Sequence, residues 1–294
     1  MKYASGRAFR QALEAHLRAL SQRRGVPLLR LRKMVAFDRL LARLIADQPE
    51  GWLLKGGLAL QFRLGDKART TMDVDLHSAR SMQEARASLQ RAALRDLGDW
   101  FQFEVGKPRA STALPEGGLR FPMRVLLDGR TFEAFHLDLG LGDPVLEEPE
   151  WVAGPSLLKF AGIAPTSFPC YPLSQQIAEK LHALTRPYAG GEGSRVRDLV
   201  DLLLIAEMAY LEAASLRTAI HATFRARKTH AIPHVLPQPP SDWQRPYRRL
   251  AEEVGLQWLD LSEASEALRD FLHPILAQNA TGAWDASAWR WISV

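Results

Sequence analysis

Cysteine is nearly missing from this chain. Cys170 stands alone among 294 residues, which excludes an intrachain disulfide and suits a reducing compartment. Histidine is sparse and scattered, eight in all, and neither residue recurs at the spacing of a zinc site. Long hydrophobic runs are also missing. No segment reaches the ~18 apolar residues of a membrane span, and no early apolar run looks like a signal peptide. Residues 1–24 are amphipathic and arginine-bearing, as a transit peptide is, but the pattern runs on into a second helix. A cytoplasmic protein with no membrane partner is expected. Internal repeats and low-complexity segments are absent from the sequence.

What remains is an ordinary globular composition, 47% hydrophobic and 24% charged, long enough for one large domain or two modest ones. The formal net charge of +5 is unevenly spread. Met1 to Asp47 carries 11 Lys/Arg against three Asp/Glu, and Arg217 to Arg249 carries seven against one. The remainder is therefore net acidic. Two basic flanks around an acidic centre fit a polyanion held over a metal site; arginine-rich helices that merely keep themselves soluble fit equally well.

The informative stretch is Trp52 to His77, WLLKGGLALQFRLGDKARTTMDVDLH. A short apolar run ends in Lys55-Gly56-Gly57, an amphipathic segment Leu58–Leu64 follows, and Gly65 closes it. Arg69-Thr70-Thr71 then leads into Asp73-Val74-Asp75. The pattern predicts strand, glycine turn, helix, loop, strand. The glycine pair lets a phosphate approach the backbone, and the helix N-terminus beyond it offers unpaired N–H groups. Asp73 and Asp75, two apart on a strand, share one face, while Met72, Val74 and Leu76 take the other as core. Paired carboxylates of this kind suit one or two Mg²⁺ ions, with Mn²⁺ as the alternative. Lys55 can reach phosphate from the strand end or be solvated or ion-paired there.

Around this stretch, helices are expected over Ser5–Arg23, stopped by Gly25, and from Pro27 to about Asp47. The second carries Arg30, Arg32, Lys33, Arg39 and Arg43 on the face away from its apolar stripe. Ser81–Leu97 reads as a helix and Trp100–Val105 as a strand. Gly106–Gly118 reads as a loop, and Leu119–Leu127 and Thr131–Leu141 as strands of a hairpin turning at Asp128-Gly129. In the last strand Asp138 falls opposite the apolar face, which makes it a candidate third carboxylate. Pro144–Pro172, with six prolines, reads as a linker or domain crossover, and the chain beyond it as helical to the end. Expected there are Ser174–Leu184 with Ser174 as N-cap, a flexible loop at Gly190–Gly193, Arg195–Met208, Glu212–Ala226, Ser241–Gly255 and Ser262–Ala277. Thr229–Pro240 is a proline-rich interruption. The tail tryptophans Trp284, Trp289 and Trp291 are expected to cap the domain, and His77, His136 and His182 to be structural.

Taken in order, KGG, RTTMDVD, SQQIAEKLHAL and RVRDLVDL resemble the AbiEii/MenT-type nucleotidyltransferase toxins of bacterial toxin–antitoxin systems. The likeness is specific over about Trp52–Glu207 and weaker beyond it. It implies an α+β fold: a polymerase-β-like nucleotidyltransferase core with a mixed sheet, flanked by N-terminal helices and a helical C-terminal region. The corresponding domains are 1–155 and 156–294, the second completing the active site. It implies Mg²⁺-dependent transfer of NMP from an NTP to the 3′ end of an RNA acceptor, tRNA in characterised relatives, blocking growth until a cognate antitoxin, protein or RNA, neutralises it. Carried over by residue, Gly56-Gly57 is the phosphate-binding turn and Asp73, Asp75 and Asp138 are the metal-site carboxylates. Lys180 meets the NTP phosphates, with Lys55 and Arg69 as further phosphate contacts, and Asp198 is a catalytic acidic residue near Lys180. One departure stands out. Many relatives have Ser or Thr after the glycine pair, where this chain has Leu58, so control through that hydroxyl is not expected. Transfer to a protein or small-molecule hydroxyl, and a non-catalytic nucleotide- or RNA-binding module, are the rival readings.

Overall fold

Two helices open the chain. α1 (Gly6–Arg24) starts where the Ser5 side chain accepts from the amide of Ala8 and stops at Gly25, whose φ of 66° is open to glycine at no steric cost. α2 (Leu28–Asp47) follows. The computed structural model describes residues 1–110, 118–141, 144–187 and 192–293, and the remaining elements follow in order. They are β1 (Leu53–Lys55), α3 (Gly56–Leu64), β2 (Val74–Ser78), α4 (Met82–Ala93), β3 (Phe101–Val105), β4 (Arg109–Ala110), β5 (Leu119–Leu127), β6 (Arg130–Leu141), β7 (Glu150–Ala153) and β8 (Ser167–Cys170). Then come α5 (Leu173–Thr185), α6 (Glu192–Met208), α7 (Ala213–Arg227), α8 (Gln244–Val254), α9 (Leu261–Leu276), β9 (Ala283–Asp285) and β10 (Arg290–Ile292). The expected loops at Gly106–Gly118 and Gly190–Gly193 fall largely outside the described residues; Arg109–Ala110 pairs with β5 as a two-residue strand.

The chain divides into two units. The first comprises Met1–Asp66, Thr70–Gly142 and Pro149–Cys170; the second comprises Lys67–Arg69, Asp143–Glu148 and Tyr171–Val294. The first unit is built on one mixed sheet in the order β3-β5-β6-β2-β1-β8-β7. β2 runs parallel to β6 and antiparallel to β1, which in turn runs parallel to β8. Val74, Leu76, Leu137 and Leu139 are fully buried on the inner face, where Phe37 of α2 meets Phe135 edge-on at 4.9 Å. The β5–β6 hairpin turns at Asp128-Gly129 with φ of 54° and 68°, as the sequence predicts. Its register shifts by one residue between Val125 and Leu126, a bulge that matters below.

Several expectations are corrected. The glycine pair is not a separate turn: Gly56 and Gly57 are the first residues of α3 itself. Met72 is 44% exposed rather than core. The proline-rich 144–172 stretch is not a bare linker, because it holds β7 and β8, which pair antiparallel and extend the sheet. Its prolines conceal short edge strands. α4 ends at Ala93, held at its start by a Ser81–Glu84 capping box. Ser174 caps nothing; its hydroxyl donates to Glu147, and α5 starts one residue earlier. The chain also does not stay helical. It closes with a β9–β10 hairpin, whose Trp284, Trp289 and Trp291 pack on one another or on Phe271 and donate to the carbonyls of Ala206, Ala267 and Phe271.

The largest correction concerns α2. Its basic residues do not form an exposed face: Arg30, Lys33, Arg39 and Arg43 are all buried. Lys33 donates to the carbonyl of Ala134 at 2.7 Å and faces Glu133 at 3.5 Å. Arg32 binds Glu14 and the carbonyl of Phe132. Arg43, fully enclosed, grips Asp99 through both guanidinium nitrogens at 3.0 and 2.6 Å and also donates to the carbonyls of Phe101 and Arg39. A helix polar on one side thus ties two layers together with buried ion pairs, and its charge is unavailable to a polyanion. Breaking a buried pair leaves an uncompensated charge that costs about 3–5 kcal/mol. Asp99→Ala is therefore expected to lose stability on that scale in urea unfolding, whereas removing the exposed Arg91–Asp47 contact should cost less than about 1 kcal/mol.

Candidate active site

The first unit brings four charged side chains to one level of its sheet. Lys55 is the register partner of Asp75, Asp75 of Asp138, and Asp138 of Arg120. Residues directly opposite in neighbouring strands share a face, so the four stand in a row across β1, β2, β6 and β5, on the side away from Leu76 and Leu137. Asp73, two residues before Asp75, flanks the row. The three predicted carboxylates are thus gathered on one face.

Each has a distinct environment. Asp138 is buried, and both its oxygens accept from Arg120, at 2.8 Å from Nε and 2.6 Å from Nη2. Arg120 also lies 3.9 Å from Asp73 Oδ2, and His136 Nδ1 lies 3.6 Å from Asp73 Oδ1. Asp73 keeps 35% of its side chain exposed. The bond to Asp138, set against partial burial, holds the Arg120 pKa above its ordinary range. Asp75 explains the first glycine. Gly56 has φ of 65°, and a Cβ built there would stand 2.0 Å from Asp75 Oδ2. Only a residue without a side chain lets this carboxylate lie against the start of α3. Leu58, directly after the glycine pair, is fully buried core.

The second unit holds a separate charged cluster. Lys180 on α5 donates to Asp201 at 2.6 Å and Asp198 at 3.1 Å. Arg69 grips Asp201 with two bonds, 2.9 and 2.8 Å, and Arg195 lies 3.9 Å from Asp198. The sequence-predicted residues Lys180, Asp198 and Arg69 therefore belong together, with Asp201 as the hub joining them. Burial alone would lower the Lys180 pKa, but Asp201 and Asp198 outweigh it and raise it. Burial raises Asp198; for Asp201 burial is overcome by Lys180 and Arg69, which pull it down. Lys180 is thus a fixed cation. His182 stays neutral, pushed down to about 3 by burial first and arginine charge second, and accepts or donates at 2.7 Å with Thr229.

The family described as nucleotidyl transferase AbiEii toxin, of type IV toxin–antitoxin systems, matches residues 39–279. The chain belongs to the AbiEii nucleotidyltransferase toxin family. Among solved structures, the chain is similar to MenT4, a nucleotidyltransferase toxin from Mycobacterium tuberculosis, at 17% identity and a TM-score of 0.57, covering 90% of this chain and 98% of that one. It also matches JHP933 from Helicobacter pylori at 15% identity and a TM-score of 0.43, covering 84% and 97%. No curated protein sequence matches it. Membership makes the chain a transferase of the nucleotidyl class, with a toxin–antitoxin partnership implied, and the MenT4 likeness agrees with the expected mixed-sheet core. No described helix is long and apolar enough to cross a membrane.

For a divalent ion, the first unit offers carboxylate oxygens, which suit Mg²⁺. Asp73 offers its oxygens from the bend just before β2, and Asp75 from β2 itself. Asp138 has both oxygens on Arg120, and among the described residues no three acidic, histidine or cysteine side chains converge as a ready cage. The pair fits as ligands; each Asp138 oxygen accepts one bond from Arg120 and keeps a second lone pair.

Arg120 and Asp201 were not singled out from sequence. For Arg120 a signal existed. Phe132 and Phe135 on β6 are three apart, which breaks strict alternation and marks the bulge that sets Arg120 opposite Asp138 rather than Leu137. Asp201 sits one turn beyond Asp198 on α6, within the RVRDLVDL stretch, and its burial, which makes it the hub, comes from tertiary packing. Arg120→Ala is expected to cost about 2 kcal/mol, less than a fully buried pair because Arg120 is about a third exposed. Arg120→Ala/Asp138→Asn should recover part of that loss in a double-mutant cycle, since the stranded charge is gone. Additive losses would show that the two do not act as a pair. Gly56→Ala should be destabilising by at least about 1 kcal/mol and should abolish transfer by displacing Asp75, whereas Gly25→Ala should cost stability alone.

Proposed function

We propose that the chain transfers a nucleotidyl group from an NTP to the 3′-hydroxyl of an RNA, with tRNA as the acceptor class the resemblance implies, and that a cognate antitoxin relieves the resulting growth arrest. The observation that carries this is the row Lys55, Asp75, Asp138, Arg120 with Asp73 at its flank. Two carboxylates stand side by side between two cations over one sheet face, next to a helix start with no Cβ at Gly56. A triphosphate needs such a surface: cations for its charge, carboxylates for its metal, and backbone N–H groups for its oxygens.

In the proposed reaction the acceptor's 3′-oxygen attacks the α-phosphorus, the bond to the leaving pyrophosphate breaks, and the hydroxyl proton passes to a carboxylate or solvent. Mg²⁺, when bound, would lower the hydroxyl's pKa and neutralise the departing phosphates. Asp73 and Asp75 are assigned as its ligands, with Mn²⁺ as a substitute. Asp73, with 35% of its side chain exposed, is assigned to the acceptor side. Asp138 and Arg120 hold one another in place, and Arg120 can turn its remaining N–H groups to phosphate. Lys55 and the first amides of α3 are assigned to the phosphates. By the resemblance Lys180 is assigned as the cation toward the triphosphate and Arg69 as a further phosphate contact; Asp198 and Asp201 orient Lys180, and Arg69 also holds Asp201.

An RNA acceptor is favoured over a small molecule by exposed basic residues that remain once the buried ones are set aside: Arg7, Arg18, Arg23 and Arg24 on α1, and Arg225, Lys228, Arg245 and Arg249 in the second unit. Asp73→Ala and Asp75→Ala should each reduce transfer of label from an α-³²P NTP to total RNA by at least ~10³-fold, with thermal unfolding unchanged within a few degrees. Full activity in either variant would remove that residue from the site. Lys180→Ala should chiefly impair use of the NTP. RNA binding should weaken steeply as salt rises, because counterions are released; a flat salt response with labelled protein or metabolite in place of RNA would favour the rival acceptors.

A further inference from the structure

The second unit contains a cavity of about 390 Å³ whose lining includes no residue assigned above to the transfer reaction, although one lining residue, Arg195, lies 3.9 Å from Asp198. Its walls are apolar: Leu199 and Leu268 from two helices, the indole of Trp243, and the strap Leu236–Pro240. Three of the strap's five residues are proline, so it is rigid before any ligand arrives. This is the proline-rich interruption that the sequence marked without assigning it a purpose.

Three features set the cavity apart from a packing defect. Arg186 and Arg269 stand on its wall, both half-buried, and neither makes an ion pair with a described carboxylate. Half-buried guanidinium groups without a counter-ion are uncommon in a chain whose other buried arginines are all gripped by acids or carbonyls. Trp243 is 6% exposed, and its indole N–H is buried with no acceptor; a buried donor left unsatisfied costs about 1–3 kcal/mol unless a ligand completes it. The surrounding field is also positive. His230 is pushed down by burial and then by Arg186 and Arg195. Anionic character, a flat apolar body and a hydrogen-bond acceptor are what the cavity lacks.

We propose that this cavity binds a single nucleotide unit, its base held between the apolar walls and Trp243 and its phosphate between Arg186 and Arg269. The volume admits one nucleotide and not a folded polymer, and planar guanidinium pairs are the usual partners of phosphate. The choice of ligand rests on the transfer proposed above: the unit is supplied either by an unpaired residue of the RNA acceptor or as free mononucleotide.

Isothermal titration of the full chain in an Asp73→Ala/Asp75→Ala background without added Mg²⁺, which removes metal-dependent binding at the carboxylate row, tests this. AMP and CMP are titrated beside adenosine, inorganic phosphate and a single-stranded trinucleotide RNA. Saturable binding of AMP or CMP, at least about tenfold tighter than adenosine or phosphate alone and weakened by about tenfold or more in Arg186→Gln/Arg269→Gln, is expected. Trp243→Phe, which keeps the ring and removes the N–H, should weaken it several-fold at unchanged thermal stability. Tighter binding of the trinucleotide, in competition with the mononucleotide, assigns the unit to RNA; binding of the mononucleotide alone assigns it to free nucleotide. Absence of saturable binding by both, or affinity unchanged in the double arginine variant, overturns the proposal. Label transfer to RNA is scored in parallel with Asp73 and Asp75 intact. Transfer without cavity binding sinks this inference alone, and cavity binding without transfer sinks the catalytic reading alone.

Discussion

Strand register is the constraint on which the first unit depends. Lys55, Asp75, Asp138 and Arg120 lie on four neighbouring strands and in three separate stretches of sequence, yet backbone hydrogen bonding brings them to one level. A slip of one residue in any pair turns a charged side chain into the core and a leucine into solvent. The apolar face enforces the polar one. Val74, Leu76, Leu137 and Leu139 are fully buried, and losing a single such side chain costs on the order of 2–5 kcal/mol, far more than a partly exposed ion pair contributes. The hydrophobic pattern therefore fixes the register, and the register delivers the charges.

The bulge in the β5–β6 hairpin shows how finely this is set. Counting back from the tight turn at Asp128-Gly129 without it, Arg120 would oppose Leu137. The one-residue shift at Val125/Leu126 makes it oppose Asp138, and the guanidinium then meets both carboxylate oxygens. The same economy appears at Gly56, where a missing Cβ makes room for Asp75. In both places a backbone irregularity serves a carboxylate.

Basic residues divide into two populations with different physics. On α2 they are buried and satisfied by Asp99, Asp38, Glu133 and main-chain carbonyls, so they contribute to the specificity of packing and not to any outer surface. In the second unit, Lys180 and Arg69 converge on Asp201, a cluster whose members hold one another's charge states. Arg186 and Arg269, by contrast, carry charge that no described acid answers. Net charge alone does not separate these populations, because burial decides which cations meet a partner inside the fold.

Local features were legible from the chain itself. The helix stop at Gly25, the Asp128-Gly129 turn and the period-2 alternation that puts Asp138 opposite its leucines all follow from short-range sterics and hydrogen bonding. The family motifs were legible for the same reason, being contiguous. The edge strands inside the proline-rich stretch were not, since proline masks short strands whose pairing partners lie far away. Nor were the buried fate of the α2 arginines, the pairing of Arg120 with Asp138 or the convergence of Lys180 and Arg69 on Asp201. Each joins residues distant in the chain. Their partners are chosen by which surfaces pack together, and that choice exists only once the tertiary structure has formed.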